Sequence, residues 1–147
     1  MTDTEQLDGL YHDLESLVYN TDYSEALSDF QHIIAEGEAE SFATETASNG
    51  EAWSLLAEST IRRKGHDQIL VESFALLNSL VGVGNEGNIS EVDSHGSIYG
   101  TSVPYAIFHD QGTSRMPARP PVGVSEDRVD QLAEMVAQRT IEAIGGL

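Results

Sequence analysis

The chain contains no cysteine, which excludes disulfides and thiolate metal sites outright. Basic residues are scarce. Seven Lys and Arg stand against 25 Asp and Glu, for a formal net charge of −18, and none of the seven falls before Arg62. A field of that sign repels nucleic acid and anionic membrane at long range, which argues against sequence-specific DNA binding. No apolar run approaches the roughly 18 residues needed to span a bilayer. The opening Thr-Asp-Thr-Glu is acidic and unlike a signal peptide, so the expectation is a protein made in a cytoplasm that leaves it only inside a particle. There is a single tryptophan, Trp53, and there are only four prolines, all between positions 104 and 121.

The 147 residues suit one domain with a real core. The charge is uneven, with 14 acids in the first 61 residues. It reads either as a solubility device or salt adaptation, or as an acidic surface that lets DNA pass without sticking. An acidic helical region (1–48) is expected to precede an α+β portion (50–147).

Helical spacing is clear at both ends. Over 2–18, Leu7, Leu10, Leu14, Leu17 and Val18 form one stripe, and Thr2 with Glu5 reads as a capping box. A second helix is expected from position 23, opened by an Asp22–Glu25 box and striped by Tyr23, Leu27, Phe30 and Ile34. Its extent past Gly37 is open, because Glu36, Glu38, Glu40 and Glu45 read as a solvated face. A short helix is expected over 71–80, then a hairpin with Ile89 and Val92 on one strand, Ile98 and Tyr99 on the next, and residues 93–96 as the turn. At the C-terminal end Ser125 caps a helix of about 30 Å, striped by Val129, Leu132, Ala133, Val136, Thr140, Ala143 and Ile144 and stopped at Gly145-Gly146.

Between hairpin and last helix lies the most constrained stretch. Residues 105–108 (Tyr-Ala-Ile-Phe) are short, apolar and aromatic, which suits a third, buried strand. Gly112 ends it. Pro117, Pro120 and Pro121 lock the next segment into an extended arm, since proline fixes its own φ and drives the preceding residue out of the α region. Arg115, Met116 and Arg119 make that arm either a docking edge or an ordinary sheet-to-helix loop. The fold expected is α+β: N-terminal helices, a small antiparallel sheet of three to four strands, and a long C-terminal helix packed across it.

No catalytic constellation stands out. Gly82-Val83-Gly84-Asn85-Glu86-Gly87 formally matches GxGxxG, but it follows a helical pattern and precedes a strand, the reverse of the dinucleotide site. The five histidines have no HExxH spacing. His109 and Asp110 would point to opposite faces of a strand. There is no GxSxG and no phosphate loop. No enzyme, metal or cofactor is expected. Trp53 reads as core or interface anchor, and Arg62, Arg63 and Lys64 as an exposed turn or a pairing site for the acidic region of a neighbouring copy.

Two boxes together carry a resemblance. Tyr-Ala-Ile-x-His-x-x-Gly at 105–112 with Met-Pro-Ala-Arg-Pro at 116–120, and Trp53, Leu56, Thr60 and Lys64 upstream, resemble the phage virion morphogenesis (tail completion) family over roughly residues 50–145. The chain departs from the family at Asp110-Gln111 and at Pro121. The resemblance implies a structural virion protein of a tailed bacteriophage, in the neck or head-proximal tail, joining the tail to the DNA-filled head. It implies a ring-forming subunit, six-fold, that contacts connector or adaptor and tail terminator or tube proteins. The expected interface residues are Arg62, Arg63, Lys64, Arg115, Met116, Arg119, Pro120 and Pro121. The expected structural residues are Trp53, Tyr105, His109 and Gly112. The alternative is a soluble acidic regulator or DNA mimic that binds a basic host protein, motivated by the uneven charge.

Overall fold

The computed structural model describes residues 2–71 and 74–146. Helix α1 (Asp3–Asn20) opens with the expected capping box. The Glu5 N–H donates to Thr2 Oγ1 (3.3 Å), and the Thr2 N–H donates to Glu5 Oε2 (2.8 Å). Two N–H groups with no partner inside the helix are thereby satisfied.

Helix α2 (Ser24–Thr44) starts without the second box. Asp22 instead accepts the Ser24 N–H at 2.8 Å in a local turn, and that hydrogen bonding holds its carboxyl below the usual range. The helix runs through Gly37 to Thr44, where Glu45 turns left-handed (φ 54°). Leu27, Phe30, Ala35 and Phe42 are buried along it. Glu38, expected on a solvated face, is buried too, at 2% exposure.

Helix α3 (Glu58–Lys64) ends at left-handed Gly65. The helix expected over 71–80 begins only at Ala75, as α4 (Ala75–Leu80). Leu70 and Phe74 both have positive φ (60° and 63°). Glu72 and Ser73, which the expected helix included, lie outside the described residues. The hairpin forms as expected. Strands β1 (Asn88–Val92) and β2 (Ser97–Thr101) pair antiparallel, Asn88 opposite Thr101 and Val92 opposite Ser97. The Asp93 N–H donates to Gly96 O across the turn at 2.9 Å.

The third strand does not form. Residues expected in it wind into α5 (Ala106–Gln111), and among the described residues the sheet has two strands. A four-residue apolar run fits a short helix as well as a strand. Pro104 sits just before the first turn, where its missing N–H leaves no gap in the ladder. The first turn closes with the Ala106 N–H on Val103 O and the Phe108 N–H on Tyr105 O. His109 and Asp110 are therefore neighbours around a helix and do not face opposite ways.

The last helix, α6 (Glu126–Gly145), is capped by Ser125, whose side chain accepts the Arg128 N–H. Its main partner is α2, not the hairpin. The two run antiparallel: Tyr23 and Thr140 share a hydroxyl hydrogen bond of 2.8 Å, Arg139 Nε donates to Asp22 O at 3.0 Å, and Arg128 pairs with Glu40 at 2.9 Å. Helix α2 is thus the middle layer, with α6 on one side and the hairpin on the other. Gln31 reaches the hairpin and donates through Nε2 toward Glu91 O, Ile98 O and Ser97 Oγ. The result is an α+β fold whose main core lies away from α6, at the end built by Phe42, Trp53, Ile69, Val71, Leu76, Leu80 and Ala106. Neither α1 nor α6 buries a residue fully.

Candidate protein-docking site

Trp53 anchors that end of the molecule. It is 4% exposed and meets Phe42 edge-on with ring centres 5.5 Å apart. Its indole N–H needs an acceptor when buried and finds Pro120 O at 3.1 Å. The arm is tied back at the next residue as well. Arg119 Nε donates to Ser54 O at 2.6 Å, Nη2 donates to Leu55 O at 2.9 Å, and the Arg119 N–H donates to His109 O at 2.7 Å. Burial lowers the Arg119 pKa. The turn before the arm depends on Gly112 (φ 73°, ψ 173°). A Cβ there would lie 2.7 Å from Ala118 N, so only glycine lets the chain fold back this tightly.

These ties shape a groove of about 750 Å³. Its apolar lining comes from Leu55, Leu56, Leu70, Phe74, Leu76 and Met116. Tyr105, at the N-terminal cap of α5, and His109 within it, in edge contact at 5.9 Å, line it as well. Arg63 and Lys64 enter from α3, Arg115 and Arg119 from the arm. Four of the chain's seven basic residues thus meet at one place, and none of its 25 acids lines it among the described residues. In a chain of net charge −18 this is an island of opposite sign.

The expected interface residues divide three ways. Arg63, Lys64, Arg115 and Met116 line the groove, and Arg62 is exposed beside it on α3. Arg119 is not a docking side chain: it is 6% exposed and occupied by backbone carbonyls. Pro121 is fully buried, and Pro120 serves as the acceptor for Trp53. Among the expected structural residues, Trp53 is core and Gly112 forms the turn. Tyr105 is not core; it is 41% exposed. Ala106 is the residue of that segment that enters the core, because a helical turn, unlike a strand, directs it inward.

Two features escaped the sequence. Leu55, 85% exposed, is indistinguishable in sequence from its half-buried neighbour Leu56. Helix α1 also keeps its apolar stripe in solvent: Leu7, Leu10, Leu14 and Val18 are all exposed. At its C-terminal end, His95 Nε2 donates to Val18 O at 3.2 Å, and Tyr19 stacks on the His95 ring.

Glu38 is the strongest electrostatic perturbation. Its Oε1 accepts the Gly123 N–H at 3.0 Å. Burial pushes its pKa from 4.5 up to about 7, against the opposing pull of the Gly123 hydrogen bond and of Arg128. Among the described residues no group of three or more His, Asp or Glu is placed to hold a metal, and no helix is long and apolar enough to cross a membrane.

Comparison with protein-family models, curated proteins and solved structures found no match to this chain.

Proposed function

We propose that the protein is a structural subunit of a tailed-phage virion, a neck or tail-completion protein that joins the tail to the DNA-filled head. It acts by recognition, without catalysis or cofactor, and its working form is a ring of copies, six-fold, between connector or adaptor proteins and the tail terminator or tube. One observation carries this reading. The two sequence boxes that carry the family resemblance lie some fifty residues apart, yet they form one unit. Trp53 and Ser54–Leu55 of the first are bonded to Pro120 and Arg119 of the second, and the groove opens between them. An apolar cleft with a charged rim is the anatomy of a protein interface. A heterologous contact that closes by rotation makes a ring.

The exposed acids of α1 favour a second reading, an acidic regulator that binds a basic host protein. Electron microscopy of a lysate from a phage with a stop codon at Trp53 separates the two. Filled heads beside detached, full-length tails support the junction role. Normal infectious virions refute it, and the regulator reading then takes its place.

A further inference from the structure

We propose that the groove between α3 and the arm receives helix α1 of a second copy of this chain. The inference rests on the subunit reading above and names the contact that would build the ring. The groove offers an apolar floor, the basic side chains of Arg63, Lys64 and Arg115 and, among the described residues, no acid. Helix α1 carries the complement. Leu7, Leu10, Leu14 and Val18 recur three and four apart and are exposed. That is the anchor pattern of an amphipathic helix laid into a groove. Asp8, Asp13 and Glu15 border this stripe, and the helix contains no Lys or Arg.

The helix cannot fill its own groove in this arrangement. Its C-terminal end is held by His95 and beside α6, and none of its residues lines the groove. Donor and acceptor surfaces are therefore different patches on one chain. Each copy gives one helix and offers one groove, which is a heterologous contact able to propagate from copy to copy. At 18 residues the helix is about 27 Å long, enough to present two or three anchors while its last turn stays on its own molecule. The opposite charges favour the encounter and select this orientation over α1 against α1, where acid would face acid.

The absence of cysteine makes the test clean, since introduced thiols are the only ones present. Leu10→Cys and Leu55→Cys are prepared separately, both at exposed positions, with Leu7→Cys and Leu14→Cys as register variants. Mixed under mild oxidation, an α1 variant and Leu55→Cys should form a disulfide heterodimer, and neither should cross-link alone. The double variant Leu10→Cys/Leu55→Cys should give a ladder on a non-reducing gel that ends at the ring's copy number. Sedimentation of the wild-type chain runs alongside. Cross-linking of Leu10→Cys with itself would mean paired α1 helices and would overturn the proposal. Wild-type assembly with no cross-link from any of the three α1 positions would overturn it while leaving the ring reading intact. A wild-type chain that stays monomeric at every concentration, without cross-links, would remove both.

Discussion

Replacing Glu38 with glutamine isolates a single buried carboxyl in a chain crowded with exposed ones. The Glu38 side chain is 2% exposed, and its Oε1 accepts the Gly123 N–H. Glutamine has the same shape and keeps an acceptor oxygen, so the Gly123 contact can persist while the ionisable group is lost. Glu38 titrates at about 7 in the folded chain, against an ordinary 4.5. An unfolded chain therefore releases this proton at lower pH than the folded one does. Between pH 4.5 and 7 the folded state binds the extra proton, so this group's contribution to stability falls as pH rises through that window and is flat above it. The full difference corresponds to about 3 kcal/mol. Glu38→Gln should thus match the wild type near pH 4.5 and exceed it by up to about 3 kcal/mol at pH 8, raising the urea midpoint by on the order of 1–2 M. Exposed Glu36→Gln serves as the control, because it removes the same charge from the net −18 without a buried carboxyl. Urea titrations of the three proteins at half-unit pH intervals read the effect. A Glu38→Gln difference that does not grow between pH 4.5 and 7, or that equals the Glu36→Gln difference, would refute the reasoning.

Gly112→Ala forces a Cβ to within 2.7 Å of Ala118 N at a φ of 73°; we expect a loss of about 3 kcal/mol, read as a melting temperature lower by roughly 10 °C. Arg119→Ala leaves the carbonyls of Ser54 and Leu55 without their donor, a loss of about 3 kcal/mol that a thermal melt should show as clearly as the glycine variant does. Thr2→Ala removes one half of the capping box, weakening α1 by about 1 kcal/mol. Because α1 buries nothing fully, faster amide exchange should be confined to its first turns, with the global melt unchanged. Leu55→Asp, at an exposed site, should shift stability by no more than about 0.5 kcal/mol while abolishing self-association in sedimentation.

Local chemistry made part of this molecule legible. The Thr2–Glu5 box, the Ser125 cap and the 93–96 turn are decided by residues three or four apart, and all three stand where the sequence places them. The burial of Trp53 was likewise open to reading, since a lone large aromatic has few other uses in so polar a chain. The failures share a cause. Residues 105–108 have a composition shared by strand and helix. In the folded chain they wind into α5, and Ala106 enters the core. Arginine is usually exposed, and nothing local to Arg119 shows that Ser54 and Leu55, some 65 residues away in the chain, present two carbonyls to it. The sequence around Glu38 reads as solvated for the same reason, its hydrogen-bond partner being the distant Gly123.

The groove divides along the same line. Its ingredients were visible: two clusters of positive charge in an acidic chain, a stiff proline arm, and an amphipathic N-terminal helix. Sequence by itself determined where α1 and α6 start, which segment cannot be helical, and that basic residues would be scarce and the charge uneven, because those properties follow from dihedral limits, capping and composition acting over a few residues. Only the tertiary structure decided that Arg63, Lys64 and Arg115 face a common apolar cleft, that Arg119 is consumed in building it, and that α1 is left with its stripe in water. Those outcomes depend on which of several equivalent apolar surfaces meet, and that choice is made by packing between segments fifty or more residues apart.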